Sequence, residues 1–145
     1  METFAEVRKH MAERFELTTD EPFIVSFEYP IPDSERRQGI FLAEIQSSDG
    51  RRVLRVETPV APLDDLDAEK CLRINLTLRV GYLAVGDLDG VPYIKMCANL
   101  PYAFVGEQEL EYTCLLYTSP SPRDFSCNLV CRLLLEKWGG GGGGG

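Results

Sequence analysis

Asp64-Asp65-Leu66-Asp67-Ala68-Glu69-Lys70-Cys71-Leu72-Arg73-Ile74-Asn75-Leu76-Thr77-Leu78-Arg79-Val80 admits two readings, and the fold turns on which one is right. Leu72, Ile74, Leu76, Leu78 and Val80 alternate with Arg73, Asn75, Thr77 and Arg79. A period of two puts each set on its own face of a pleated strand. Against this stands Asp67, a good helix N-cap, because its short carboxylate can accept from the amides of a first turn. Ala68-Glu69-Lys70 then opens a helix naturally, and Ala68, Cys71, Leu72, Asn75, Leu76 and Arg79 share one helical face. On pattern alone the alternation favours the strand.

The flanks are easier to read. Thr3-Phe4-Ala5-Glu6 has the spacing of a capping box. Phe4, Val7, Met11 and Phe15 recur at intervals of three and four, predicting a helix over 4–16 with one apolar stripe. Phe23 to Tyr29, Ile40 to Gln46 and Arg52 to Glu57 read as three strands, the last stopped by Pro59 and Pro62. Pro30 to Gln38 is a polar loop, and Ser48-Asp49-Gly50 a hairpin turn. Gly81 to Gly86 and Val91 to Ala98 make a second hairpin around Asp87-Leu88-Asp89-Gly90, with Pro92 suited to a strand start or an edge. Val105 to Thr113 begins a final helix. The sum is an α+β fold: an open antiparallel sheet with helices packed on one face, in the order helix, three strands, helix, hairpin, truncated final helix. An open sheet has edges, and an edge accepts an extended peptide as a further strand.

The end of the chain has a different character. Cys114-Leu115-Leu116-Tyr117-Thr118-Ser119-Pro120-Ser121-Pro122-Arg123-Asp124 resembles the in-frame translation of a transposon-end library adapter. Asn128 to Glu136 resembles the next constant adapter block, and the run from Gly139 to Gly145 resembles a sequencing read that has lost its signal. The expectation is therefore a domain over 1–113, interrupted in its last helix, and a non-native tail over 114–145 that is disordered or poorly packed.

Setting aside Arg123, Arg132, Lys137, Asp124 and Glu136 leaves 12 basic residues against 21 acidic, a net charge of −9. Such a balance argues against nucleic acid, whose phosphates need a basic face, and against an anionic membrane surface. It suits a partner with a basic segment. No stretch approaches the ~18 apolar residues of a membrane span. Met1-Glu2-Thr3-Phe4 lacks the basic start of a secretory signal, so the chain reads as cytoplasmic. Outside the tail only Cys71 and Cys97 remain, Cys97 between apolar neighbours and Cys71 followed by Leu72, and both are expected to be buried, reduced thiols.

Chemical motifs are sparse. His10, the only histidine, stands near the border of the polar face of the first helix and reads as exposed and inert. Asp87-Leu88-Asp89-Gly90 fails as a calcium loop, because Val85 and Met96 fall at the first and last ligand positions. Asp64, Asp65, Asp67 and Glu69 suit the positive end of a helix dipole better than a metal. Gly81 and Gly86 form no phosphate loop, and Asn75-Leu76-Thr77 is a glycosylation triplet by letter only. No catalytic, cofactor or metal residues are assigned.

The body nevertheless resembles the YbjN-like and type III secretion chaperone-like family. Pro59-Val60-Ala61-Pro62-Leu63-Asp64-Asp65-Leu66-Asp67, Leu72-Arg73-Ile74-Asn75, Val80-Gly81-Tyr82-Leu83-Ala84-Val85 and Leu100-Pro101 carry the resemblance. The resemblance implies a helix over 67–79 in place of the strand. It also implies an acidic cytoplasmic bacterial protein, a homodimer when intact, and a non-enzymatic, chaperone-like module that holds a protein or peptide partner. Phe4, Val7, Met11, Phe23, Val25 and Phe27 are the candidate peptide-binding residues, with an apolar or basic segment as ligand. Two alternatives stay open: a small hydrolase using two carboxylates, and a regulatory domain whose only activity is dimerisation.

Overall fold

The computed structural model describes residues 1–30, 37–78 and 81–116. Thr3 starts helix α1 (Phe4–Arg14) by accepting the Glu6 amide on its hydroxyl, while the Glu6 carboxylate accepts from the amide of Glu2. Phe4, Val7 and Met11 are buried along one side, as their spacing requires. Each contributes about 1.5–3 kcal/mol when withdrawn from water. The helix ends at Arg14, short of the expected residue 16. Phe15, the fourth member of the stripe, leaves it and stacks on Phe27 with ring centroids 4.1 Å apart.

The strands are β1 (Leu17–Glu21), β2 (Ile24–Pro30), β3 (Arg37–Gln46), β4 (Arg52–Pro62), β5 (Tyr82–Leu88) and β6 (Val91–Pro101). They form one antiparallel sheet in the order β1-β2-β3-β4-β6-β5. Helix α2 (Ala68–Asn75) separates β4 from β5, and α3 (Glu107–Leu116) follows β6. Val25 and Phe27 stand opposite Leu42 and Ile40, Leu42 opposite Val56, and Val56 opposite Ala98. These alternate residues make one face of the sheet, and Phe4, Val7, Met11, Cys71, Ile74 and Leu110 from the three helices join them in a single core. The α+β architecture, an open antiparallel sheet with its helices on one face, is as the sequence predicts. Among the described residues, no helix is long and apolar enough to cross a membrane.

Several details differ from expectation. Four strands, not three, precede α2, because β1 pairs with β2 although Leu17-Thr18-Thr19-Asp20-Glu21 has only one apolar residue. The Arg8 guanidinium bonds Asp20 and ties this strand to α1. Strand β4 does not stop at Pro59. Its ladder with β3 ends at Phe41 opposite Glu57, so the missing amide of Pro59 costs no bond on that side. The Pro59 carbonyl accepts Gln38 Nε2 at 2.9 Å, and a register shift between Pro59 and Ala61 carries β4 on beside β6.

Within the segment over 67–78, residues 68–75 are helical, which overturns the reading by alternation, and Arg79 lies outside the described residues. Asp67 accepts the Glu69 and Lys70 amides at 2.9 and 3.3 Å. Cys71 and Ile74 turn into the core, whereas Leu72 is 69% and Leu76 92% exposed. The helix is shorter than implied, ending at Asn75 with the Thr77 amide bonded to the Ile74 carbonyl. Both hairpin turns form as read. Gly50 has φ +86°, and Asp89 and Gly90 have φ 52° and 81°, the paired left-handed conformations of a tight two-residue turn. Of the tail segment, residues 114–116 continue α3, and Cys114 is buried. Of the polar loop expected over 30–38, Pro30 ends β2 and Arg37 and Gln38 open β3; its residues 31–36, like 117–145, lie outside the described residues.

Candidate functional site

Five of the six candidate peptide-binding residues are core. Phe4, Val7, Met11, Val25 and Phe27 are all buried beneath the helices and offer no surface to a partner. Their alternation and stripe spacing signal burial, and the chain's own sheet and helices supply it. Phe23 alone is on the surface, at 66% exposure, just ahead of β2.

His10 is the reverse case. It was expected to be exposed, yet it is only 8% exposed, because α3 lies across that side of α1. Its Nδ1 is 3.7 Å from Glu107 Oε1 and its Nε2 3.7 Å from Glu111 Oε1. Arg14 Nη1 stands 2.6 Å from the same Glu111 oxygen, an ion pair without hydrogen-bond alignment. The imidazole thus faces carboxylates on opposite edges, so the two acids cannot join it around one metal ion. Beside it, Met11, Arg14, Phe15, Tyr29, Glu111 and Cys114 line a small cavity of about 160 Å³. Burial, with Glu111 adding to it, pushes the Cys114 thiol up to about 12, which leaves no thiolate to act as nucleophile.

The opposite face of the sheet carries a polar cluster that is already paired. Lys95 Nζ lies 3.2 Å from Glu57 Oε1, with both side chains largely buried. Arg55 Nε donates to Asn99 Oδ1 at 3.0 Å, and the Tyr82 hydroxyl bonds the same oxygen at 3.2 Å. Burial and then the Glu57 carboxylate push the neighbouring Cys97 thiol up to about 11. On the helix-covered side, the Tyr102 hydroxyl donates to Glu44 Oε1 at 3.0 Å, and burial and that bond raise its pKa above the tyrosine range.

Among the described residues, one edge of the sheet stands open. The two edges, β1 and β5, differ in kind. β1 is short, has a register shift between Leu17 and Thr19, and ends in Asp20 and Glu21. Shortness, irregularity and charge are the devices that keep an edge from pairing. β5, Tyr82-Leu83-Ala84-Val85-Gly86-Asp87-Leu88, is longer, regular against β6, and has one charge.

The hydrogen bonds of this edge can be assigned residue by residue. The Leu83 amide donates to Asn75 Oδ1 at 2.6 Å, and Asn75 Nδ2 donates to the Leu83 carbonyl at 3.1 Å. Both backbone groups of Leu83 therefore point away from β6. In an antiparallel ladder this orientation alternates, so Val85 and Asp87 also point outward, while Ala84, Gly86 and Leu88 bond β6. Pro92 agrees: it stands opposite Asp87, at a position where β5 requires no amide from it. Asn75 thus acts as one peptide group of a seventh strand, and the amides and carbonyls of Val85 and Asp87 remain beyond it.

The same edge carries an apolar side chain of its own, whereas Leu72 and Leu76, three residues before and one after Asn75, stand in solvent on α2. Val85, opposite Ile94, points to the helix-covered face and is 56% exposed. The sequence lists Leu72, Asn75 and Leu76 on a common helical face, but neither the role of Asn75 nor the open edge is visible until α2 is set against β5.

Comparison with family models, with characterised proteins and with solved structures returns no match to this chain.

Proposed function

We propose that this domain is a non-enzymatic protein-binding module, chaperone-like in holding an extended segment of another protein, and that it works in a bacterial cytoplasm as the family resemblance implies. The supporting observation is the β5 edge, where the backbone groups of Val85 and Asp87, next along the strand from the Asn75-capped Leu83, have no hydrogen-bond partner among the described residues. A strand added there gains main-chain hydrogen bonds from the edge and apolar contact from the half-exposed Val85. The binding surface moves accordingly from the six residues first considered to this rim. The net charge of −8 favours a basic segment.

The test is selection from a displayed random-peptide library against the full chain, with Val85→Pro as the matched control. Val85 directs its amide to solvent, so proline removes an edge donor while sparing the β6 ladder. Enrichment of short extended sequences by the natural chain, lost in Val85→Pro, is the expected result. Enrichment that Val85→Pro leaves untouched would sink the assignment to this edge.

A further inference from the structure

Asn75 does more than cap an edge: it decides how long a strand can be added and in which register. A segment pairing antiparallel to β5 meets Asp87 first, then Val85, and would next reach Leu83. There the Asn75 amide already occupies both backbone groups. The segment must therefore end its pairing, or turn away, after the residue opposite Val85. Only two of its residues form hydrogen-bonded pairs, and these two are separated by one.

The side chains of those two residues are set by the same alternation. Directly opposite Val85 and Asp87, they point to the helix-covered face of the sheet. The residue between them points the other way, over Gly86, where the Lys95 side chain lies close enough to touch any added Cβ at 3.3 Å. Val85, 56% exposed, calls for an apolar side chain opposite it. Asp87 calls for a cation, and Asp89 follows it in the turn. Among the described residues neither carboxylate has an ion-pair partner.

We propose that the β5 edge takes a short extended segment of a partner protein with a basic residue and an apolar residue two apart, in the chain order basic, any, apolar, and that Asn75 stops the pairing at Leu83. This rests on the reading of β5 as the binding edge and adds to it the sequence, direction and length of what binds.

The experiment is an amide NMR titration of the full chain with blocked synthetic peptides. One has the core Lys-Thr-Val, the second the reversed order Val-Thr-Lys, the third Glu-Thr-Val, and the fourth extends the first to Lys-Thr-Val-Thr-Val. The first peptide is expected to shift the Val85 and Asp87 amides and to bind at least about threefold more tightly than the second or third, the range of an exposed ion pair. Asp87→Lys should reverse the preference between Lys and Glu. The fourth peptide should gain nothing over the first with the natural chain. With Asn75→Ala it should gain severalfold, and the Leu83 amide should then shift as well. Asn75→Asp, which keeps an acceptor for the Leu83 amide, serves as a second variant should the alanine unfold. Equal binding of all four peptides at Val85 and Asp87 would overturn the sequence and register while leaving the edge itself standing. No shift at either amide with any peptide would overturn both. A doubled mass by light scattering, with both amides already protected in the free chain, would make a second copy the occupant and would also overturn the proposal.

Discussion

A single residue's role here is set by what lies across from it more than by its type. His10 sits at the border of an amphipathic helix, and its burial comes wholly from α3, almost a hundred positions later in the chain. Nothing local to Lys9-His10-Met11 encodes that. Cys97 is the opposite case, an inert thiol legible from its apolar neighbours, and it has a measurable signature. Burial and the Glu57 carboxylate hold its proton up to about 11, against an ordinary value of 9.0. The folded chain therefore keeps a proton that the unfolded chain releases above about pH 9. The stabilisation tied to that proton is complete below pH 9 and is lost as pH rises toward 11. Cys97→Ala has no such proton to lose. Urea melts across this window should give a stability gap between natural chain and variant that narrows as pH rises; a constant or widening gap would contradict the buried thiol.

At the scale of elements, strong local signals survive and weak or ambiguous ones depend on partners. The Thr3 cap, the Phe4-Val7-Met11 stripe and the Asp89-Gly90 turn are local, and each forms where it was read. β1 was invisible because its pairing is supplied by β2 and its anchor by Arg8, not by an apolar pattern of its own. Alternating leucines make α2 read as a strand on pattern alone, and the helix that forms is the one the family resemblance implies. Two of them, Leu72 and Leu76, stay in solvent, where they satisfy neither the strand nor the helix rule for a core. The candidate site was thus half legible: an open edge follows from an open sheet, but which edge, and how far it is open, needed tertiary structure. Hydrogen exchange reads this directly. The Leu83 amide, held by Asn75, should be protected, and the Val85 and Asp87 amides, two and four positions later on the same strand, should exchange far faster. Equal protection along β5 would mean the edge is covered.

For the whole molecule, acidity and edge geometry act on different parts of binding. The chain carries a formal net charge of −8, and Asp87 and Asp89 put part of that charge beside the open edge. Long-range attraction of this kind raises the rate at which a basic segment arrives, and added salt screens it, with a Debye length of about 10 Å at 0.1 M and about 3 Å at 1 M. Backbone hydrogen bonds at Val85 and Asp87 and apolar contact with Val85 act only once the segment is seated, and salt touches them little. A lysine-containing ligand of the β5 edge should accordingly associate more slowly, by roughly an order of magnitude, between low and high salt. Its dissociation rate should change much less, since short-range contacts govern departure. Stopped-flow fluorescence with a labelled peptide separates the two rates. Were salt to act mainly on dissociation, the bound state would be held by charge, and the main-chain pairing argued from Asn75 and Leu83 would not be its basis.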